Sequence, residues 1–233
     1  MHRVEIPRSV TERVVQRRGR RHVFDALEPA RTALLVVDLQ KGFMVEGVGH
    51  AYVPGAVDIV PNVNRLAAAV RGAGGKVYWI KNTHDAECLT GWSIMHNEMT
   101  TPDRQAARVA SMSRGTVGHE LHDDLDVRAD DSVVEKTRFS ALIPGSSDLD
   151  ARLRAEGIDT VIVVGTVTNV CCESTARDAM MLNYKVVMVS DANAAQTDEE
   201  HNASLISVYL TFGDVMDTAE TLAAVAAGER AVA

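Results

Sequence analysis

The stretch Val161-Ile-Val-Val-Gly-Thr-Val-Thr-Asn-Val-Cys-Cys-Glu-Ser-Thr-Ala-Arg-Asp-Ala179 decides how this chain folds. It begins as a β-branched run, breaks at Gly165, and resumes from Val170 with apolar and small residues at helical spacing. A strand covered on both faces that feeds straight into a helix is the building unit of a parallel α/β sheet. The same stretch sets Cys171 in the first turn of that helix. Unpaired backbone N–H groups and a partial positive charge there favour thiolate over thiol and can hold an oxyanion, so Cys171 is a candidate nucleophile. The alternative is that Cys171 and Cys172 are small core residues at a corner, as free cysteines usually are.

Working outward, the runs 33–38 (Ala-Leu-Leu-Val-Val-Asp), 76–81, 132–136, 160–165 and 185–189, with a weaker one at 214–216, read as continuous apolar strands. Helical patterns fill 57–72, 146–156, 170–183 and 198–212, and a short helix is expected near 102–111. Such alternation requires right-handed crossovers, and therefore a parallel sheet with helices on both faces. The functional crevice of an open parallel sheet lies at the carboxyl ends of its strands. That rule selects Asp38 at the end of the first strand, Lys136 at the end of the third, and Cys171 just beyond the fourth. A carboxylate, an ammonium and a thiol that converge there form a base, a cation that keeps the base ionised, and a nucleophile. Taken singly, Asp38 also fits a turn cap and Lys136 a surface position. The segment 83–130 has little periodicity and is long enough to cover the site as a lid.

The 233 residues fit one domain, 30–233, preceded by a basic arm, 1–29. A net charge of −8 argues against a nucleic acid or an anionic membrane as partner. The exception is Arg13-Val-Val-Gln-Arg-Arg-Gly-Arg-Arg-His22, which is expected to be a solvated arm or to pack on a neighbouring subunit. Three cysteines, two of them adjacent, give no disulfide framework and no zinc spacing, which fits a reducing, cytoplasmic setting. Neither a signal-peptide core nor an apolar run of about 18 residues occurs.

The segments Ala33-Leu-Leu-Val-Val-Asp-Leu-Gln-Lys-Gly-Phe43, Glu135-Lys-Thr-Arg-Phe-Ser-Ala141 with Leu149-Asp-Ala-Arg-Leu153, and Gly165–Ala179 resemble, in order, the three signature blocks of the isochorismatase-like cysteine hydrolases. Within that family the third block looks most like the ureidoacrylate and N-carbamoylsarcosine amidohydrolases. The resemblance implies a three-layer fold with a six-stranded parallel sheet, and a triad of Asp38, Lys136 and Cys171, with Cys172 in a usually small apolar place. It also implies a cis peptide at Thr166–Val167, an oxyanion hole of the Val167 and Cys171 amides, and a homodimer or homotetramer.

The activity so implied is C–N bond hydrolysis of a small amide or carbamoyl (ureido) substrate through a Cys acyl-enzyme, with ammonia released and no cofactor. Isochorismatase-type vinyl-ether hydrolysis and a catalytically idle, oligomeric member are the alternatives. Nicotinamidases of the family carry an Asp/His metal cluster after the second strand. Here that region reads Lys81-Asn-Thr-His-Asp-Ala86, with one histidine and no matching partner nearby; His84 is expected to be a loop or substrate-facing residue, and His96, His119 and His122 lack ligand spacing, so no metal is expected. Gln40, Phe43, Asn82 and Trp92 are substrate-pocket candidates by position, with ordinary packing the alternative for Phe43 and Trp92.

Overall fold

Every residue of β1 (Thr32–Val37) is buried, because alternate side chains enter two different cores. Leu34 and Val36 pack with Val63 and Leu66 of α3 (Val60–Gly72) and with Ala224 and Val225 of α9 (Thr218–Val232). Ala33, Leu35 and Val37 pack with Leu149 and Leu153 of α6 (Leu149–Ala155), Ala176 and Ala179 of α7 (Glu173–Met181), and Leu205 of α8 (Asp198–Ser207). This is the physical reason the strand reads as an unbroken apolar run rather than an alternating one. Burial of each Val or Leu contributes about 1.5–3 kcal/mol, so the two layers supply most of the drive to fold.

The computed structural model describes residues 1–232. Its other strands are β2 (Lys76–Asn82), β3 (Ser132–Lys136), β4 (Thr160–Thr166), β5 (Lys185–Ala194) and β6 (Asp214–Met216). All pairings are parallel, in the order β3-β2-β1-β4-β5-β6. The expected three-layer, six-stranded α/β fold is therefore what the chain forms. Strand order runs outward in opposite directions from the β1/β4 pair, and that switch point opens a crevice at the strands' carboxyl ends.

β5 continues five residues beyond the expected 185–189. Its polar extension through Ser190, Asp191 and Asn193 hides the strand pattern, and the ladder to β4 shifts register between Val163 and Gly165. The Asn193 side-chain amide compensates by donating to Val163 O at 3.0 Å and Val189 O at 2.7 Å. Gly165 has a φ of +123°, and a Cβ there would lie 2.1 Å from Val37 O, so only glycine lets β4 close on β1 at this level.

The remaining helices are α1 (Arg8–Arg18), α2 (Lys41–Met44), α4 (Ala86–Gly91) and α5 (Pro102–Met112). The basic segment is not a solvated arm. In α1, Val10 and Val14 enter the α7–α8 core, and Arg18 pairs at 2.8 Å with fully buried Asp214 at the start of β6. The other Asp214 oxygen accepts from Val23 N and Phe24 N, so one buried carboxylate fastens the whole segment to its own chain. Segment 83–130 is likewise built, from α4, a π-turn at Ile94–Glu98, α5 and a short 3-10 turn at Val117–His119. It is tied to the strand ends by Thr83 N to Lys136 O at 2.8 Å and His122 N to Leu39 O at 3.0 Å. Among the described residues no helix is long and apolar enough to cross a membrane.

Candidate active site

Asp38 leaves β1 with a φ of 54°, a left-handed conformation that Asp tolerates better than most residues and that turns its side chain off the strand path. Its amide donates to Ile80 O at 2.9 Å. Lys136 sits two strands away, about 9–10 Å in sheet spacing, and its long side chain spans that gap. Lys136 Nζ lies 2.8 Å from Asp38 Oδ2, and both side chains are wholly buried. The well-aligned hydrogen bond of Lys136 Nζ runs instead to Arg138 O at 3.1 Å. Lys136, Cys171 and the Asn82 backbone surround the Asp38 carboxylate.

Cys171 is 3% exposed and belongs to a π-turn, Thr168–Cys172, that precedes α7 rather than to the helix itself. It faces both Asp38 and Lys136 closely enough that each influences its titration. Burial dominates and pushes the thiol up; Lys136 opposes this and the Asp38 charge adds to it. The expectation that a helix N-terminus favours thiolate is corrected here, because desolvation outweighs a partial dipole charge. Burial also raises the Asp38 carboxyl, against the pull of Lys136. For Lys136, burial works against the charge, but Asp38 and Cys171 together outweigh it and the ammonium is held above its ordinary value. Burial thus favours the neutral thiol, set beside the Asp38–Lys136 pair. Cys172 is fully buried in the same core as Ala176 and Ala179 of α7.

The Thr166–Val167 peptide is cis. Val170 N and Cys172 N both donate to Val167 O, at 3.0 and 3.3 Å, which curls the turn around the sulfur. Supports that sequence patterns did not indicate lie behind it. Thr166 Oγ1 donates to Ala194 O at 3.1 Å, and Ser204 Oγ to Thr168 O at 3.2 Å. His201 Nε2 is 2.9 Å from Ser190 O, which can only accept, so Nδ1 is the ring's acceptor and takes the Thr168 hydroxyl at 2.9 Å. His201 could have been suspected only as a histidine placed among small residues on α8; its partners come from β5 and the turn.

Of the pocket candidates, Gln40 is a clamp. Its amide donates to Asn82 O and His119 O, both at 3.1 Å, and accepts from Asn82 N at 2.7 Å, leaving little for a substrate. Asn82 Oδ1 is buried without a partner, while the Asn82 backbone reaches the Asp38 carboxylate. Phe43 is core, edge-on to His50. Trp92 is half-buried under the Arg138 guanidinium and against Phe139, and it lines a groove with Ser140, Ser174 and Arg177. His84, expected to be a loop or substrate-facing residue, and His96, expected to lack ligand spacing, converge with Cys88, because α4 and the π-turn fold the intervening residues back on themselves.

A strand-end carboxylate and lysine with a thiol on the turn after β4, at the switch point of this sheet, can be compared with known proteins. The family model described as the isochorismatase domain matches residues 32–220. The chain belongs to the isochorismatase family. Among relatives, a protein named probable inactive nicotinamidase from Arabidopsis thaliana is 36% identical over 179 residues, covering 76% of this chain and 87% of that protein. The ureidoacrylate amidohydrolase RutB of Acinetobacter baylyi is 34% identical over 205 residues, 82% of each. A crystal structure titled cysteine hydrolase, from Pseudomonas syringae pv. phaseolicola, superposes with a TM-score of 0.73 at 32% identity, covering 87% of this chain and 95% of that one. The family is one of hydrolases that includes named amidohydrolases and cysteine hydrolases, and motif and fold agree in placing this member among them.

Proposed function

We propose that this family member is a cysteine amidohydrolase whose reacting groups are all side chains and backbone amides, acting on a small amide or carbamoyl (ureido) compound. The observation that carries this reading is the buried 2.8 Å Asp38–Lys136 pair with Cys171 set against it. Asp38 takes the thiol proton as sulfur adds to the substrate carbonyl, so the thiolate forms only when an electrophile is present. Lys136 keeps Asp38 ionised beforehand and stays charged throughout. The tetrahedral oxyanion rests on the Val167 and Cys171 amides. Protonated Asp38 then hands its proton to the departing nitrogen, which leaves as ammonia or an amine. Water cleaves the thioester or thiocarbamate, and the carbamate formed from a ureido substrate breaks down to ammonia and carbon dioxide. On this proposal the unpartnered Asn82 Oδ1 accepts a substrate N–H.

The test is ammonia release from ureido acids, carbamoyl amino acids, maleamate, nicotinamide and aliphatic amides, with the wild type and Cys171→Ala. Release that vanishes in the variant supports the reading and names the substrate class. Pyruvate from isochorismate without ammonia from any amide overturns it in favour of vinyl-ether hydrolysis. Silence across the panel overturns it in favour of an idle fold, the condition for which the Arabidopsis relative is named. We further propose a cytoplasmic homodimer or homotetramer, whose oligomeric state a sizing measurement checks.

A further inference from the structure

We propose that His84, Cys88 and His96 bind one thiophilic divalent cation of the zinc class, at a site separate from the reacting thiol. Their ligand atoms all lie within 4.8 Å of one another, and all three side chains are buried. Cys88 Sγ is 3.6 Å from His84 Nδ1 and 3.5 Å from His96 Nε2. Zinc bonds of about 2.3 Å to sulfur and 2.0–2.1 Å to nitrogen, at a tetrahedral angle, put sulfur and nitrogen about 3.5 Å apart. Two edges of that tetrahedron are therefore already formed. Without a cation the same contacts are weak N–H···S interactions at best, a poor return for burying two imidazoles and a thiol.

The donors are held independently of one another. His84 is fixed by its amide to Met112 O and its carbonyl from Ser113 Oγ. Cys88 sits in the first turn of α4, where the Asp85 cap accepts its N–H at 3.1 Å. His96 stands perpendicular to His84, with ring centroids 5.3 Å apart, and turns its Nε2 toward the Cys88 sulfur. Burial and the Arg108 charge push both imidazoles down, His84 to about 2, so both present neutral nitrogen. Burial pushes the Cys88 thiol up, and a bound cation displaces that proton.

Nearby His50 accepts Arg108 Nε at its own Nε2, 3.2 Å away, so its Nδ1 carries hydrogen and does not ligate. One thiolate, two imidazoles and no carboxylate select zinc-like ions over magnesium or calcium. The guanidiniums of Arg108 and Arg138 face the cluster and oppose a cation, so binding depends on the thiolate. The cation would staple α4 and the π-turn to the end of β2, where His84 follows the strand, and would release the S–H hydrogen bond that Cys88 Sγ now gives to Thr137 O at 3.3 Å.

The experiment uses untagged full-length protein reconstituted with zinc or cobalt(II), dialysed, and measured by elemental analysis and absorption. One equivalent of metal and an intense near-ultraviolet thiolate-to-cobalt band are expected. Cys88→Ser should abolish the band and His96→Gln should cut retained metal at least tenfold, while Cys171→Ala keeps both. Zinc should also shield the Cys88 thiol from alkylation until a chelator is added, a readout on the wild type that needs no variant to fold. Retention of less than a tenth of an equivalent, a band that survives Cys88→Ser, or one lost with Cys171→Ala would overturn the assignment.

Discussion

Asp38 Oδ2 and Lys136 Nζ stand 2.8 Å apart with no solvent on either, two opposite charges sealed at the carboxyl end of one sheet. Removing one partner of such a pair strands the other charge, at a cost of about 3–5 kcal/mol. Lys136→Met should therefore lower the stability to denaturant by about that amount. Asp38→Asn keeps the left-handed backbone that residue 38 requires, because Asn tolerates it as well as Asp does. The double variant should recover most of the loss. Additive losses in the cycle, measured by urea unfolding, would show that the two groups do not act as a pair.

Activity should fall on the acid side at a pH above the ordinary carboxylate range, since turnover needs ionised Asp38 and burial raises its carboxyl. Removal of Lys136, which opposes that rise, should move the acid limb of kcat/KM to still higher pH. Cys171 should alkylate slowly at neutral pH in the absence of substrate, because burial holds it as a thiol. Fast labelling at pH 7, or an acid limb at an unperturbed carboxylate value, would contradict the resting state described here.

The chain's first-order architecture was legible because β1 and β4 are buried on both faces, so their apolar runs survive as sequence signals. The same rule that places sites at parallel strand ends picked out Asp38, Lys136 and Cys171 before any distance was known. What escaped was non-local. The extension of β5 is polar because Asn193 repairs a register shift against β4, a partner thirty residues away. The Arg18–Asp214 pair joins residues 196 positions apart, so the basic segment read as solvated. Gln40 resembled a pocket residue because sequence does not reveal that three backbone groups already occupy its amide.

Gly165 sets the spacing of the switch point. A Cβ there would meet Val37 O at 2.1 Å and Val37 N at 2.7 Å, atoms of the neighbouring backbone that cannot swing aside, and φ is +123°. Gly165→Ala should cost about 3 kcal/mol or more through overpacking and backbone strain together. It should also displace the β4 end that carries the nucleophile turn, lowering kcat more than it raises KM. Wild-type stability and turnover in this variant would show that β1 and β4 are not in such close contact.

His201 ties the nucleophile turn to β5, and its burial makes it a pH-dependent brace. Desolvation pushes its imidazole down from 6.5 to about 4, so the unfolded chain binds the proton more readily than the folded one. Stability from this residue is therefore intact above about pH 6.5 and is lost as pH falls toward about 4. Between pH 7 and pH 5 the loss should be about 2 kcal/mol. His201→Gln should flatten that part of the stability curve measured by urea unfolding, while its lost bond to Thr168 lowers turnover at every pH. A variant as steep as the wild type between pH 7 and pH 5 would mean that the titrating histidine lies elsewhere, with His50, also pushed down to about 4, the next to replace.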